Sequence, residues 1–80
     1  MPKVLEYKGY KFFFFSNEGN PLEPSHIHVR KDNCLAKFWL TPYVSLANSW
    51  GMNAHELNML QEIVEERQEE FKERWHDFFG

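Results

Sequence analysis

Met52-Asn53-Ala54-His55-Glu56-Leu57-Asn58-Met59-Leu60 is where this chain changes period, and its reading decides the fold. Asn53 is an N-cap residue, because its side-chain oxygen can accept from an unpaired amide of a first helical turn. Glu56, three residues on, completes a capping box, and Met52 stands where it can staple against Leu57. A helix therefore begins at Asn53 or Ala54. Beyond it Leu57, Leu60, Ile63, Val64, Phe71, Trp75, Phe78 and Phe79 recur at helical spacings as one apolar stripe. Glu62, Glu65, Glu66, Glu69, Glu70 and Glu73 fall mostly off that stripe. The pattern predicts one long amphipathic helix over about 54–78. Its length would be about 37 Å, more than the width of a small sheet, so its C-terminal end is expected to overhang.

Before Asn53 the period is two. Val4-Leu5-Glu6-Tyr7 and Tyr10-Lys11-Phe12-Phe13-Phe14-Phe15 read as strands joined at Lys8-Gly9, where glycine tolerates positive φ. Ser16 to Ser25 collects turn formers and two prolines, which forbid helix and imply an exposed loop. His26-Ile27-His28-Val29-Arg30 alternates, Lys31-Asp32-Asn33 turns, and Cys34-Leu35-Ala36-Lys37-Phe38-Trp39-Leu40 completes a hairpin. After Thr41-Pro42, Tyr43 to Ala47 reads as a short edge strand and Asn48-Ser49-Trp50-Gly51 as a turn. The fold class is α+β: a small antiparallel sheet of about four strands, over about 3–47, packed against one long C-terminal helix.

Eighty residues hold one core, so residues 1–80 form a single domain. Eight Phe, three Trp and three Tyr supply the burial that a domain this small otherwise lacks. Phe12 and Phe14 project to one face of their strand and Phe13 and Phe15 to the other, so one pair needs cover beyond a single helix. We therefore expect an interface built from Phe12, Phe14, Phe71, Trp75 and Phe78, in a homodimer or with a small cognate protein. The one cysteine, Cys34, cannot form an internal disulfide, and the opening Met1-Pro2-Lys3-Val4-Leu5-Glu6 lacks a signal peptide's apolar run. Both point to a cytoplasmic location. The longest apolar run, Phe12 to Phe15, is far short of the roughly 18 residues a membrane span requires. Net charge is −3, with the acids concentrated in the helix. That balance argues against charge-dominated nucleic-acid binding, apart from a local face of Lys8, Lys11, Arg30, Lys31 and Lys37.

Several segments together carry a family likeness: Met1-Pro2 with Val4-Leu5, Phe13-Phe14-Phe15-Ser16-Asn17-Glu18-Gly19, Glu23-Pro24-Ser25-His26-Ile27-His28-Val29, Ala36-Lys37-Phe38-Trp39-Leu40 and Glu56-Leu57. The chain resembles the small bacterial proteins of domain-of-unknown-function family 4160 over nearly its whole length. The resemblance implies a protein partner in a toxin–antitoxin-like pair and establishes no activity.

His26 and His28 are the candidates for chemistry. Two apart in a strand, they project from one face at a spacing suited to sharing a divalent metal, which would need a third donor from His55, His76, Cys34, Asp32, Glu18 or Glu23. The His-x-His pattern is also that of a cupin site, but the downstream glutamate and second histidine are missing and the chain is too short for a jelly roll. Without metal, the two imidazoles could serve as an acid–base pair with Arg30, Lys31 or Lys37 at a phosphate, as in a small ribonuclease. The plain alternative is structural, with His26 hydrogen-bonded to the 18–23 loop, His28 opposite an aromatic residue, and no cofactor. Three functions stay open: a protein-binding component of a toxin–antitoxin-like module, a nuclease or metal-dependent hydrolase using His26 and His28, and a nucleic-acid-binding sheet with exposed aromatics.

Overall fold

The computed structural model describes residues 3–15 and 24–79, and most of the loop expected over 16–25 lies outside them. Five strands precede two helices: β1 Lys3–Tyr7, β2 Tyr10–Phe13, β3 His26–Lys31, β4 Cys34–Trp39, β5 Ser45–Trp50, α1 Ala54–Glu66 and α2 Gln68–Phe79. The strands form one antiparallel sheet in chain order, so every neighbour in the sheet is a neighbour in sequence. Lys8 and Gly9 turn β1 into β2 at φ 50° and 85°, the two positive values that a tight hairpin requires.

The expected sheet of about four strands is corrected to five, since the short edge strand expected over 43–47 is a full member of the sheet, β5, shifted to Ser45–Trp50 and running through the turn expected over 48–51. Asn48 and Ser49 are weak strand formers alone, but pairing with Lys37 and Ala36 of β4 holds them extended. Gly51, at φ 79°, makes the turn instead. The single long helix is corrected to two, divided at Arg67, whose φ of −110° ends α1. No proline or glycine lies between residues 54 and 79. The division falls where Arg67 and Gln68 interrupt the apolar stripe, so no buried anchor holds the helix straight there. The Gln68 side chain also donates to the Glu65 carbonyl, 3.1 Å away.

The capping box is present as read: the Asn53 side chain accepts from the Glu56 amide at 2.8 Å, and the Asn53 amide donates to the Glu56 carboxylate at 3.1 Å. Both helices lie on one face of the sheet. Leu60, Val64 and Phe71 meet Phe12, Ile27, Val29, Ala36 and Phe38 there, all of them buried. Phe71 stacks on Phe12 with ring centroids 5.9 Å apart, and Trp75, Phe78 and Phe79 gather around Phe14. The end of α2 thus closes over Phe14, and Phe12, Phe14 and Phe71 are spent inside the chain's own core, with no surface left to offer a partner. Trp75 is half-buried, and Phe78 alone of the five residues expected at an interface stays exposed.

Candidate functional site

Directly opposed residues of antiparallel strands project to the same face, so the register sorts the sheet into two sides. With Phe12, Ile27, Val29 and Phe38 under the helices, the opposite side carries Lys3 and Glu6 of β1, Lys11 and Phe13 of β2, and His26, His28 and Arg30 of β3. Leu35, Lys37 and Trp39 of β4 and Asn48 and Trp50 of β5 complete it. The glutamates of α1 and α2 belong to the other side of the molecule. A chain of modest net negative charge therefore presents one cation-rich face.

His26 and His28 do share a face, as strand spacing requires, with ring centroids 5.3 Å apart. They are 0 and 5 % exposed and enclosed by other rings. His26 lies against Trp39 of β4 and Trp75 of α2, at 5.4 and 4.7 Å. His28 lies against Phe13 and Phe15, at 5.7 and 4.3 Å. His26 Nδ1 stands 3.0 Å from the Pro24 carbonyl. A carbonyl can only accept, so this bond puts the proton on Nδ1. Pro24 thus fixes the ring at the entry to β3, and Leu40, whose amide donates to the Ser25 carbonyl at 2.9 Å, ties that entry to the end of β4.

Among the described residues no group of three His, Cys, Asp or Glu side chains is placed to hold a metal ion. His55, His76, Cys34 and Asp32 therefore do not complete a metal site with the histidine pair. Glu18 and Glu23, the remaining donors considered, lie outside the described residues, as does the loop expected to hydrogen-bond to His26. Arg30 projects from the histidine face but is exposed, while the rings beside it are buried.

What the sheet brings together beside the histidines is a pair of adjoining clefts. Lys3, Lys11 and Arg30, from three neighbouring strands, line the first with Phe13 and enclose about 180 Å³. Phe13, Phe15, Leu35 and Arg30 line the second, about 280 Å³, with Asp32 and Asn33 at its turn end. Lys3 is 2.9 Å from Glu6, and this contact, with Lys11 opposite, holds the Glu6 carboxyl below its ordinary value. Of the five cations expected on a basic face, Lys11, Arg30 and Lys37 lie here. Lys8 sits in the first turn over Tyr7, and Lys31 lies over Tyr10. Lys3 went unread because only the register, which sets it opposite Phe13, reveals its place.

Residues 9–76 match the family described as Domain of unknown function (DUF4160). The chain belongs to this family. The match takes in the histidine segment, both clefts apart from Lys3, and the helices down to His76. Searches of curated proteins and of solved structures found no match. Among the described residues, no helix of this family member is long and apolar enough to cross a membrane.

Proposed function

We propose that this protein is a protein-binding component of a toxin–antitoxin-like pair and that it binds through the edge of its sheet at β5. The observation that carries this reading is the contrast between the two edges. β1 bears Lys3 and Glu6, the charges that natural edge strands use to prevent pairing with another chain. β5, Ser-Leu-Ala-Asn-Ser-Trp, bears none. Exposed large apolar side chains gather along it: Leu46 at 39 %, Trp50 at 58 % and, just before the strand, Tyr43 at 69 %. An extended segment laid beside β5 would gain main-chain hydrogen bonds and cover these side chains.

The simplest occupant is a second copy. Two uncharged β5 strands can pair antiparallel about a two-fold axis without bringing like charges together. The alternative, a nuclease or metal-dependent hydrolase acting through His26 and His28, asks those rings to meet a substrate, whereas they face tryptophan and phenylalanine.

Light scattering tests the proposal. Wild type should have twice its chain mass of 9.7 kDa, and Leu46→Lys or Ser49→Lys should return it to the single-chain value with its circular dichroism unchanged. A wild type that stays monomeric at high concentration removes the second copy as occupant. A co-purifying protein unaffected by either substitution would show that the edge is not the binding surface.

A further inference from the structure

The two clefts on the histidine-bearing face of the sheet are a site distinct from the β5 edge. We propose that they bind single-stranded nucleic acid, a phosphate in the first and a base in the second. Three cations from adjacent strands converge on the first cleft, and among the described residues neither Lys11 nor Arg30 is held in an ion pair. A planar guanidinium and two ammonium groups around a pocket of that size match a phosphodiester, which accepts from several donors at once. Glu6 at the rim takes up part of the Lys3 charge, leaving an excess of positive charge over the cleft.

The second cleft supplies what a bare anion does not need. Beside Arg30, Asp32 and Asn33 it presents the aromatic walls of Phe13 and Phe15, with Phe15, half-buried, meeting Phe13 edge to face at 5.1 Å. A base entering beside Phe15 meets an aromatic surface, the sequence-tolerant contact of single-strand binders. Arg30 and Phe13 line both clefts, so the phosphate and base positions adjoin as they do within a nucleotide. Further along the face Lys37 lies 4.4 Å above the Trp39 ring, a second pairing of cation and aromatic side chain. The acidic helices, which on composition alone weigh against nucleic acid, pack chiefly on the other side of the sheet, and α2 reaches this face only at its margin, where Arg74 and Asp77 share a cleft with Lys3.

The test is fluorescence anisotropy with labelled oligouridylate RNA and oligothymidylate DNA, using inorganic polyphosphate as competitor. Binding should weaken with salt, with a log–log slope of about −0.7 for each phosphate neutralised. Lys11→Gln and Arg30→Gln, both at exposed positions, should each weaken binding several-fold and flatten its salt dependence, while Arg67→Gln on the helical side should leave both unchanged. Phe15→Leu should weaken oligonucleotide binding about tenfold and leave polyphosphate binding intact. Absence of oligonucleotide binding at low salt overturns the proposal. So does binding that the two cleft substitutions leave unaltered. Polyphosphate bound as tightly as the oligonucleotides, with no effect of Phe15→Leu, would mark a simple anion site and overturn it equally.

Discussion

The Tyr10 hydroxyl donates a 2.7 Å hydrogen bond to the Glu56 carboxylate, joining the second strand to the first turn of α1. The other oxygen of the same carboxylate accepts from the Asn53 amide, so one side chain closes the capping box and ties the helix to the sheet.

Both partners of that bond are shifted by it, which makes it visible in the pH dependence of stability. The Glu56 carboxylate, and then burial, push the Tyr10 phenol from 10.0 up to about 12. The Tyr10 hydroxyl, and then the Asn53 amide, hold the Glu56 carboxyl below 4.5. A raised phenol contributes stability in full below pH 10.0 and loses it as pH climbs toward about 12. A depressed carboxyl contributes above pH 4.5 and loses that contribution as pH falls further. Thermal melts of wild type and Tyr10→Phe should differ by a constant amount between these limits and converge at both ends. A difference that holds constant up to pH 12 would contradict the linkage.

Asn53→Ala removes the N-cap acceptor and should cost about 1 kcal/mol, read as a fall in melting temperature of about 4–8 °C for a domain of this size. Asn53→Asp keeps an acceptor in place and should melt near wild type. Equal losses in the two variants would mean that the cap bond is not the source of the stability.

Phe71 is fully buried and stacked on Phe12. Phe71→Ala should cost about 3–5 kcal/mol in urea denaturation, enough to consume most of a small domain's stability. Phe71→Leu, which refills part of the volume, should cost well under half as much. A mild Phe71→Ala would indicate that α2 does not hold its place against the sheet in solution.

The two described glycines of positive φ separate conformational strain from collision. A Cβ on Gly9 would meet only the Lys31 side chain, at 3.6 Å, whereas one on Gly51 would stand 3.0 Å from Cys34 Sγ, at the joint between β5 and the helices. Both alanine substitutions carry the left-handed penalty of about 1–2 kcal/mol, and Gly51→Ala should cost more because the Cys34 thiol, which donates to the Gly51 carbonyl at 3.3 Å, must shift. Chemical denaturation of both variants checks the order, and the reverse order would refute the contact.

What was legible in the sequence was local. The capping box depends on residues three apart, and the hairpins on turn chemistry beside alternating side chains, so both could be read from single segments. The extension of β5 to Trp50 could not, since Asn48 and Ser49 are extended by β4 and not by their own preference. The division at Arg67 was equally hidden: a gap in the apolar stripe is visible, but whether the helix bends there depends on the surface it lies on. The histidine pair was legible as a shared face. Its enclosure was not, because Trp75 lies far along the chain. The cationic cleft needed the register of three strands at once, which brings Lys3 opposite Phe13 and Lys11 opposite Arg30.

The order of the strands matters for how the protein emerges from the ribosome. Each hairpin can close once its second strand has left the ribosome, so the whole meander is available before α2 has emerged. Its apolar side cannot be shielded so early. Phe12 waits for Phe71 and Phe14 for Trp75, so the nascent chain passes through an interval in which a finished sheet displays its phenylalanines to solvent or to a chaperone. Docking of α2 is therefore the step that commits the molecule, and a chain lacking that helix would be a substrate for quality control.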